Sequence, residues 1–223
     1  MPSTVSLPNQ VANGVSLYYE RAGKGEETIV FLNGIGMTVS MWAPYVCRFS
    51  DRYQTLCHDF RGQLMSEKPE GPYSMELHAQ DVIALLDALG IEKAHWVGTS
   101  YGSEVAQILA CTYPDRTRTL SVVTGVSELD TMLRTTALTW QSAAQSGDGV
   151  AFFRALLPWT YSPAYIEANW DFFESRAAAL VLGYVESHLL PLDFRLCLEA
   201  PGRSRWKRLP EPCTLPPAPS GCS

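Results

Sequence analysis

Five consecutive residues, Gly98-Thr99-Ser100-Tyr101-Gly102, have the types and spacing for nucleophilic chemistry. A serine hydroxyl attacks an acyl carbon only when its backbone exposes it and a base takes its proton. The G-x-S-x-G spacing answers the first need. Glycines on either side let two backbone segments approach where a Cβ would clash, while the serine takes a sharp turn between them. The flanking segments fit, because Ala94-His95-Trp96-Val97 has strand character and residues 104–111 have helical character. The second need, a histidine as base and an acid to orient it, must be met elsewhere in the chain.

The elements that would position Ser100 are legible as pattern. Asn13-Gly14 ahead of the alternating run Val15 to Glu20 predicts a hairpin. Thr28 to Leu32 is continuously apolar, as in a strand covered on both faces, and Tyr53 to Cys57 is another strand. Ser74 is a helix N-cap with Glu76 in the first turn; Val82, Leu85, Leu86 and Leu89 recur at helical spacing until Gly90. Ala94 to Val97 and Leu120 to Val123 complete a strand-helix alternation that predicts a parallel α/β sheet. From 128 to 200 the pattern is helical, with Ser162-Pro163 opening a helix over Ala164 to Ala179. Trp140, Phe152, Phe153, Trp159, Tyr165, Trp170, Phe172 and Phe173 crowd this stretch, either as helix packing or as the wall of an apolar substrate pocket. The division expected is a core over 1–127, a helical lid over 128–200 and a Pro/Arg-rich irregular tail over 201–223.

Three motifs together resemble the α/β-hydrolase family, over the span from about Asn13 to about Ala200. The first is the serine turn. The second is Phe31-Leu32-Asn33-Gly34-Ile35-Gly36, directly after a strand, with Trp42 downstream. It is similar to the family's oxyanion-hole segment, and the resemblance implies that the backbone N–H groups of Ile35 and Tyr101 hold the charge developing on the acyl oxygen. Asn33 stands where many members have histidine, which is similar to the enol-lactonase branch. The third is Asp59-Phe60-Arg61-Gly62-Gln63-Leu64-Met65-Ser66, similar to a bracing loop in which Asp59 and Arg61 pin the backbone. Leu64 replaces the usual second glycine there and would be strained if that position needs a positive φ. The resemblance implies an α/β fold with a mainly parallel sheet and an α-helical lid. It also implies hydrolysis of a small-molecule ester or lactone through Ser100, with no metal and no organic cofactor.

The partners of Ser100 are missing from the expected places. In this family the order is Ser, then acid, then His, and after Ala200 there is neither an apolar strand nor a histidine. His58, His78 and His95 precede Ser100 and read as structural; His188 falls in the lid. Glu128 and Asp130 follow the next strand, where some relatives place an acid, but no base accompanies them. Neither acid nor base is assigned.

Three explanations compete: a truncated or frameshifted hydrolase whose C-terminal strands are lost or replaced, a non-catalytic relative that binds a ligand or senses it, or a second chain that completes the sheet. The first accounts for intact front motifs and a lost back half by one event. It also leaves an unpaired sheet edge, open to self-association.

Bulk composition excludes other classes. A net charge of −6 over 223 residues gives no footprint for nucleic acid or an anionic membrane, and 46% apolar residues support a buried core. No leader-like start is visible, so a cytoplasmic setting is expected. Of the six cysteines, Cys57 and Cys111 lie in apolar segments and read as buried small hydrophobes. The frameshift explanation makes a direct prediction. Nucleotides beyond codon 200, translated in the other two frames, should encode a strand, an acidic turn and a Gly-His pair; their absence excludes it.

Overall fold

A computed structural model describes residues 9–71, 73–146 and 148–175. Six strands form one sheet: β1 Asn9–Ala12, β2 Val15–Gly23, β3 Thr28–Leu32, β4 Gln54–His58, β5 Ala94–Thr99 and β6 Thr117–Val123, in the order β1-β2-β4-β3-β5-β6. Asn13 and Gly14 take positive φ, as a two-residue hairpin turn requires, and β1 and β2 pair antiparallel across it. β2 also runs antiparallel to β4. From β4 onward the pairings are parallel: β3 with β4, β3 with β5, β5 with β6.

The apolar run of β3 is explained by its two faces. Val30 and Leu32 face a core built with Leu56 and Trp96 against α2 (Met75–Ala88) and α3 (Tyr101–Thr112), which contribute Val82, Leu85, Leu86, Val105 and Leu109. Ile29 and Phe31 face the opposite way, against Trp42, Val39 and partly buried residues of α1 (Ala43–Phe49). Successive strand residues point to opposite faces, so a strand covered on both sides must be apolar throughout. Helix α2 begins where expected, with the Ser74 side chain accepting from the Leu77 N–H at 3.1 Å.

Parallel pairing has one consequence that matters for the site. Leu32 lies level with His58 on one side and Gly98 on the other. The residues that follow, Asn33, Asp59 and Ser100, therefore emerge at the same carboxyl edge of the sheet. This is the crevice where open α/β sheets place ligands.

After β6 come α4 (Thr131–Gln145), α5 (Gly149–Thr160) and α6 (Pro163–Ala168). Trp140 links the first two by donating to the Ala155 carbonyl at 3.2 Å. The helix expected over Ala164 to Ala179 is interrupted. Asn169 donates from its side chain to the Tyr165 carbonyl at 2.9 Å, the acceptor its own backbone N–H would use in a continuing helix. That N–H bonds to Ile166 instead, and helix resumes at 170. Residues 176–179, the rest of the expected lid and the tail lie outside the described residues.

Two further expectations are corrected. Cys111 is exposed, because it is out of phase with the buried face of α3 set by Val105 and Leu109; Cys57 is buried as expected. Leu64 is not among the residues with positive φ, so the replaced glycine causes no strain; Gly62 alone takes the left-handed conformation in that loop. Among the described residues β6 is the last strand of the sheet, with Val122 and Val123 exposed. No described helix is long and apolar enough to cross a membrane.

The bracing loop is anchored by Arg61, which forms a two-pronged pair with buried Asp81 of α2; Asn13 of the hairpin turn donates to the same carboxylate at 2.8 Å. Three chain segments thus meet on one charge. Asp81→Asn should leave the half-buried guanidinium without its counter-charge and cost about 3 kcal/mol. Urea unfolding checks this as a lowered midpoint at unchanged slope.

Candidate functional site

Ser100 occupies the turn between β5 and α3 at φ 48° and ψ −126°, a left-handed conformation for a residue with a Cβ. Such a position costs on the order of 1–3 kcal/mol and persists only where its surroundings hold it. Here they do. Ser100 donates its N–H to the Val123 carbonyl at 2.9 Å, tying the turn to the end of β6. A Cβ on Gly98 would strike the Gly102 carbonyl, and one on Gly102 would strike the Leu32 carbonyl, so both glycines are required by packing. The Ser100 side chain itself faces solvent.

The Gly34 loop lies against this turn. A Cβ on Gly34 would sit 3.3 Å from the Ser100 Cβ. Asn33 is fully buried beneath the loop, where it accepts from the Trp42 indole at 2.7 Å and donates to Asp59 at 3.1 Å and Gln63 at 3.3 Å. Gln63 in turn donates to the Gly34 carbonyl at 3.3 Å. Asp59 accepts from the Met65 N–H at 3.2 Å, and burial holds its carboxyl above the ordinary value. Asn33 is therefore a post beneath the loop and does not face the open edge. Ile35 follows it two residues later. Tyr101 is the first residue of α3, where a backbone N–H has no preceding helical turn to bond. The structure thus brings the Ile35 loop and the Ser100-Tyr101 turn to one place.

Sequence reasoning missed Ser103, Gln63 and Glu104. Ser103, fully buried, shares its single hydroxyl proton between the Gly98 and Val123 carbonyls at 2.6 and 2.9 Å, and accepts from the Val123 N–H at 3.1 Å. It staples the ends of β5 and β6 to the helix. A small polar residue directly after the second glycine was the available signal. Glu104 accepts from the Val126 N–H at 3.4 Å, and Gln107 donates to the Val126 carbonyl at 3.0 Å.

None of the three described histidines hydrogen-bonds to Ser100. His95 contacts Thr119 at 2.9 Å and Glu27 at 3.4 Å, near the opposite end of β5. His58 and His78 are buried in the core, their pKa values pushed down to about 4 and about 3, chiefly by burial. His188 lies outside the described residues. Asp130 caps α4 by accepting from the Leu133 N–H at 2.8 Å, which gives it a structural task; Glu128 is exposed.

The aromatics after β6 mostly pack on one another. Phe173 is buried among Tyr161, Tyr165, Phe153 and Phe172, at ring-centre distances of 4.8–6.2 Å. Trp159, Trp170 and Phe172 are about half exposed. A groove of about 500 Å³ lined by Pro158, Tyr161, Pro163, Ile166, Glu167 and Trp170 shares no residue with the serine turn.

Comparison with known proteins identifies the class. Residues 27–163 match the alpha/beta hydrolase fold family, and the chain belongs to it. It is 31% identical over 182 residues to 3-oxoadipate enol-lactonase 2 of Acinetobacter baylyi, a match covering 79% of this chain and 66% of that relative's own length. It is 28% identical over 209 residues to a protein of Azorhizobium caulinodans named as the carbamate hydrolase RutD, covering 94% of this chain and 78% of that one. The solved structure of the enol-lactonase from Burkholderia xenovorans LB400 is similar with a TM-score of 0.68 at 28% identity, covering 81% of this chain and 68% of that one.

Burial raises the Glu104 carboxyl from its ordinary 4.5 to about 7, against the Val126 N–H that favours the charged form. The folded protein therefore holds a proton there that the unfolded chain releases. Stability from this group is complete below pH 4.5 and lost as pH rises through 7. Glu104→Gln, which keeps the acceptor, should match the parent below pH 4.5 and exceed it above pH 7 by about 2–3 kcal/mol. Urea titrations across that range check the sign and the window.

Proposed function

We propose that this chain is a serine hydrolase unit for ester or lactone bonds. The observation that supports it best is the Ser100 backbone, held at φ 48° beside the Gly34 loop with its side chain open to solvent. In this reading Ser100 Oγ attacks the acyl carbon and loses its proton to a base. The carbonyl electron pair moves onto oxygen, and the amides of Ile35 and Tyr101 receive that charge. Collapse expels the alkoxide, which takes a proton, and water then cleaves the acyl-serine ester. The names of the relatives favour lactones, with carbamates as the second class to try. The described helices after β6, α4 to α6, act as a lid, and the outer edge of β6 is a surface for self-association.

The base is the point at which a second reading enters. Among the described residues no histidine contacts Ser100, which favours a non-catalytic protein that binds a ligand at the same edge of the sheet. A fluorophosphonate probe separates the two. The hydrolase reading expects covalent labelling of the folded chain that disappears in Ser100→Ala. Folded protein that stays unlabelled supports the binding reading and overturns the hydrolase one. Where labelling occurs, turnover of enol-lactone, simple ester and carbamate substrates orders the classes. Without a base, the expected rate is the small residue that binding and the oxyanion amides supply.

A further inference from the structure

Behind the serine turn lies a buried polar contact that the proposed chemistry does not use. Tyr101 Oη and His78 Nδ1 are 2.7 Å apart, and both residues are buried. The Phe60 ring stacks on the His78 imidazole at 4.8 Å with an interplanar angle of 15°, and meets the Tyr101 ring edge-on at 5.8 Å. Phe60 belongs to the bracing loop after β4, His78 to α2 and Tyr101 to α3, so three elements converge on one aromatic unit. Both groups are buried away from water, where a hydrogen bond between neutral partners is stronger than at the surface. Burial pushes the tyrosine hydroxyl up and the imidazole down, so both are neutral across the ordinary pH range. A neutral imidazole and a neutral hydroxyl share one hydrogen bond here, its direction set by the tautomer of His78.

The place of Tyr101 in the chain gives this contact a use. It follows Ser100, whose left-handed backbone sets the direction of the next N–H. From the strand side that backbone is fixed by the Val123 carbonyl. From the core side the fixed point is the Tyr101 side chain.

We propose that His78 is a positioning residue which, by holding the Tyr101 hydroxyl, fixes the Tyr101 backbone N–H in its direction toward the acyl oxygen. This rests on the serine hydrolase reading. Transition-state charge is stabilised only by donors already aimed at it, so a loosened ring costs rate and leaves ground-state binding in place.

The test uses the full chain, the fluorophosphonate probe and a chromogenic ester. Tyr101→Phe removes one oxygen and keeps the ring, so it carries the test if His78→Leu does not fold. Both variants should slow labelling about tenfold and lower kcat with KM little changed, since loosening a donor costs less than deleting it. The double variant should be no slower than either single one, because both remove the same contact. His78→Asn, which offers an acceptor near the place of Nδ1, should recover most of the rate. A folded Tyr101→Phe that labels at the parent rate overturns the proposal and leaves the hydrolase reading standing. Single effects that multiply in the double variant overturn it too. If the parent itself does not label, both fall together.

Discussion

The carbonyl oxygen of Val123, at the end of β6, accepts from the Ser100 N–H, from the Ser103 hydroxyl and from the Thr124 hydroxyl at 2.7–2.9 Å. The carboxyl edge of the sheet depends on this atom. Ser100 cannot keep a left-handed backbone by its own preference, so a neighbour must hold it. The last strand of the described sheet is that neighbour. Parallel pairing of β5 with β6 matters here less as an extra ladder than as the means of delivering this acceptor to the turn. Gly125 completes the arrangement, since any side chain there would collide with Ser103.

A second constraint is the balance of buried polar groups beneath the site. Asn33, Asp59, Gln63 and Trp42 satisfy one another under the oxyanion-type loop, and a network of this kind rigidifies when every member has a partner. On the other face of the sheet His58 and His78 are buried among aromatic rings, with the Tyr101 hydroxyl against His78 Nδ1 and the Phe60 ring stacked on its imidazole.

Much of this was legible in the residues, and the reasons are local. Asn13-Gly14, Ser74 and Gly90 act through their own backbone preferences, so their turns and caps could be placed without knowing any partner. The serine turn was legible because two glycines and a serine at fixed spacing have few other structural uses. Ser103 was not, because its role depends on carbonyls from two strands that only the folded sheet brings within reach. Asn169 was missed for the opposite reason. Its effect is local, but a single side chain competing for a helix acceptor is hidden inside a run of good helix formers. Cys111 was misjudged because its neighbours in sequence are apolar while its angular position on α3 is not on the buried face.

The glycines of the serine turn and the serine itself answer to different pressures. Gly98 and Gly102 are enforced by main-chain atoms of neighbouring segments, and every single-base change at a glycine codon that alters the protein either adds a side chain or ends translation. They would be kept by purifying selection on folding in any descendant of this chain, active or not. Ser100 is exposed, and the contacts that hold its turn are made by its main chain. Genetic drift would therefore erode the serine first and leave the two glycines as a scar of the motif. A lineage that keeps the serine over long divergence is being held there by chemistry rather than by the architecture around it.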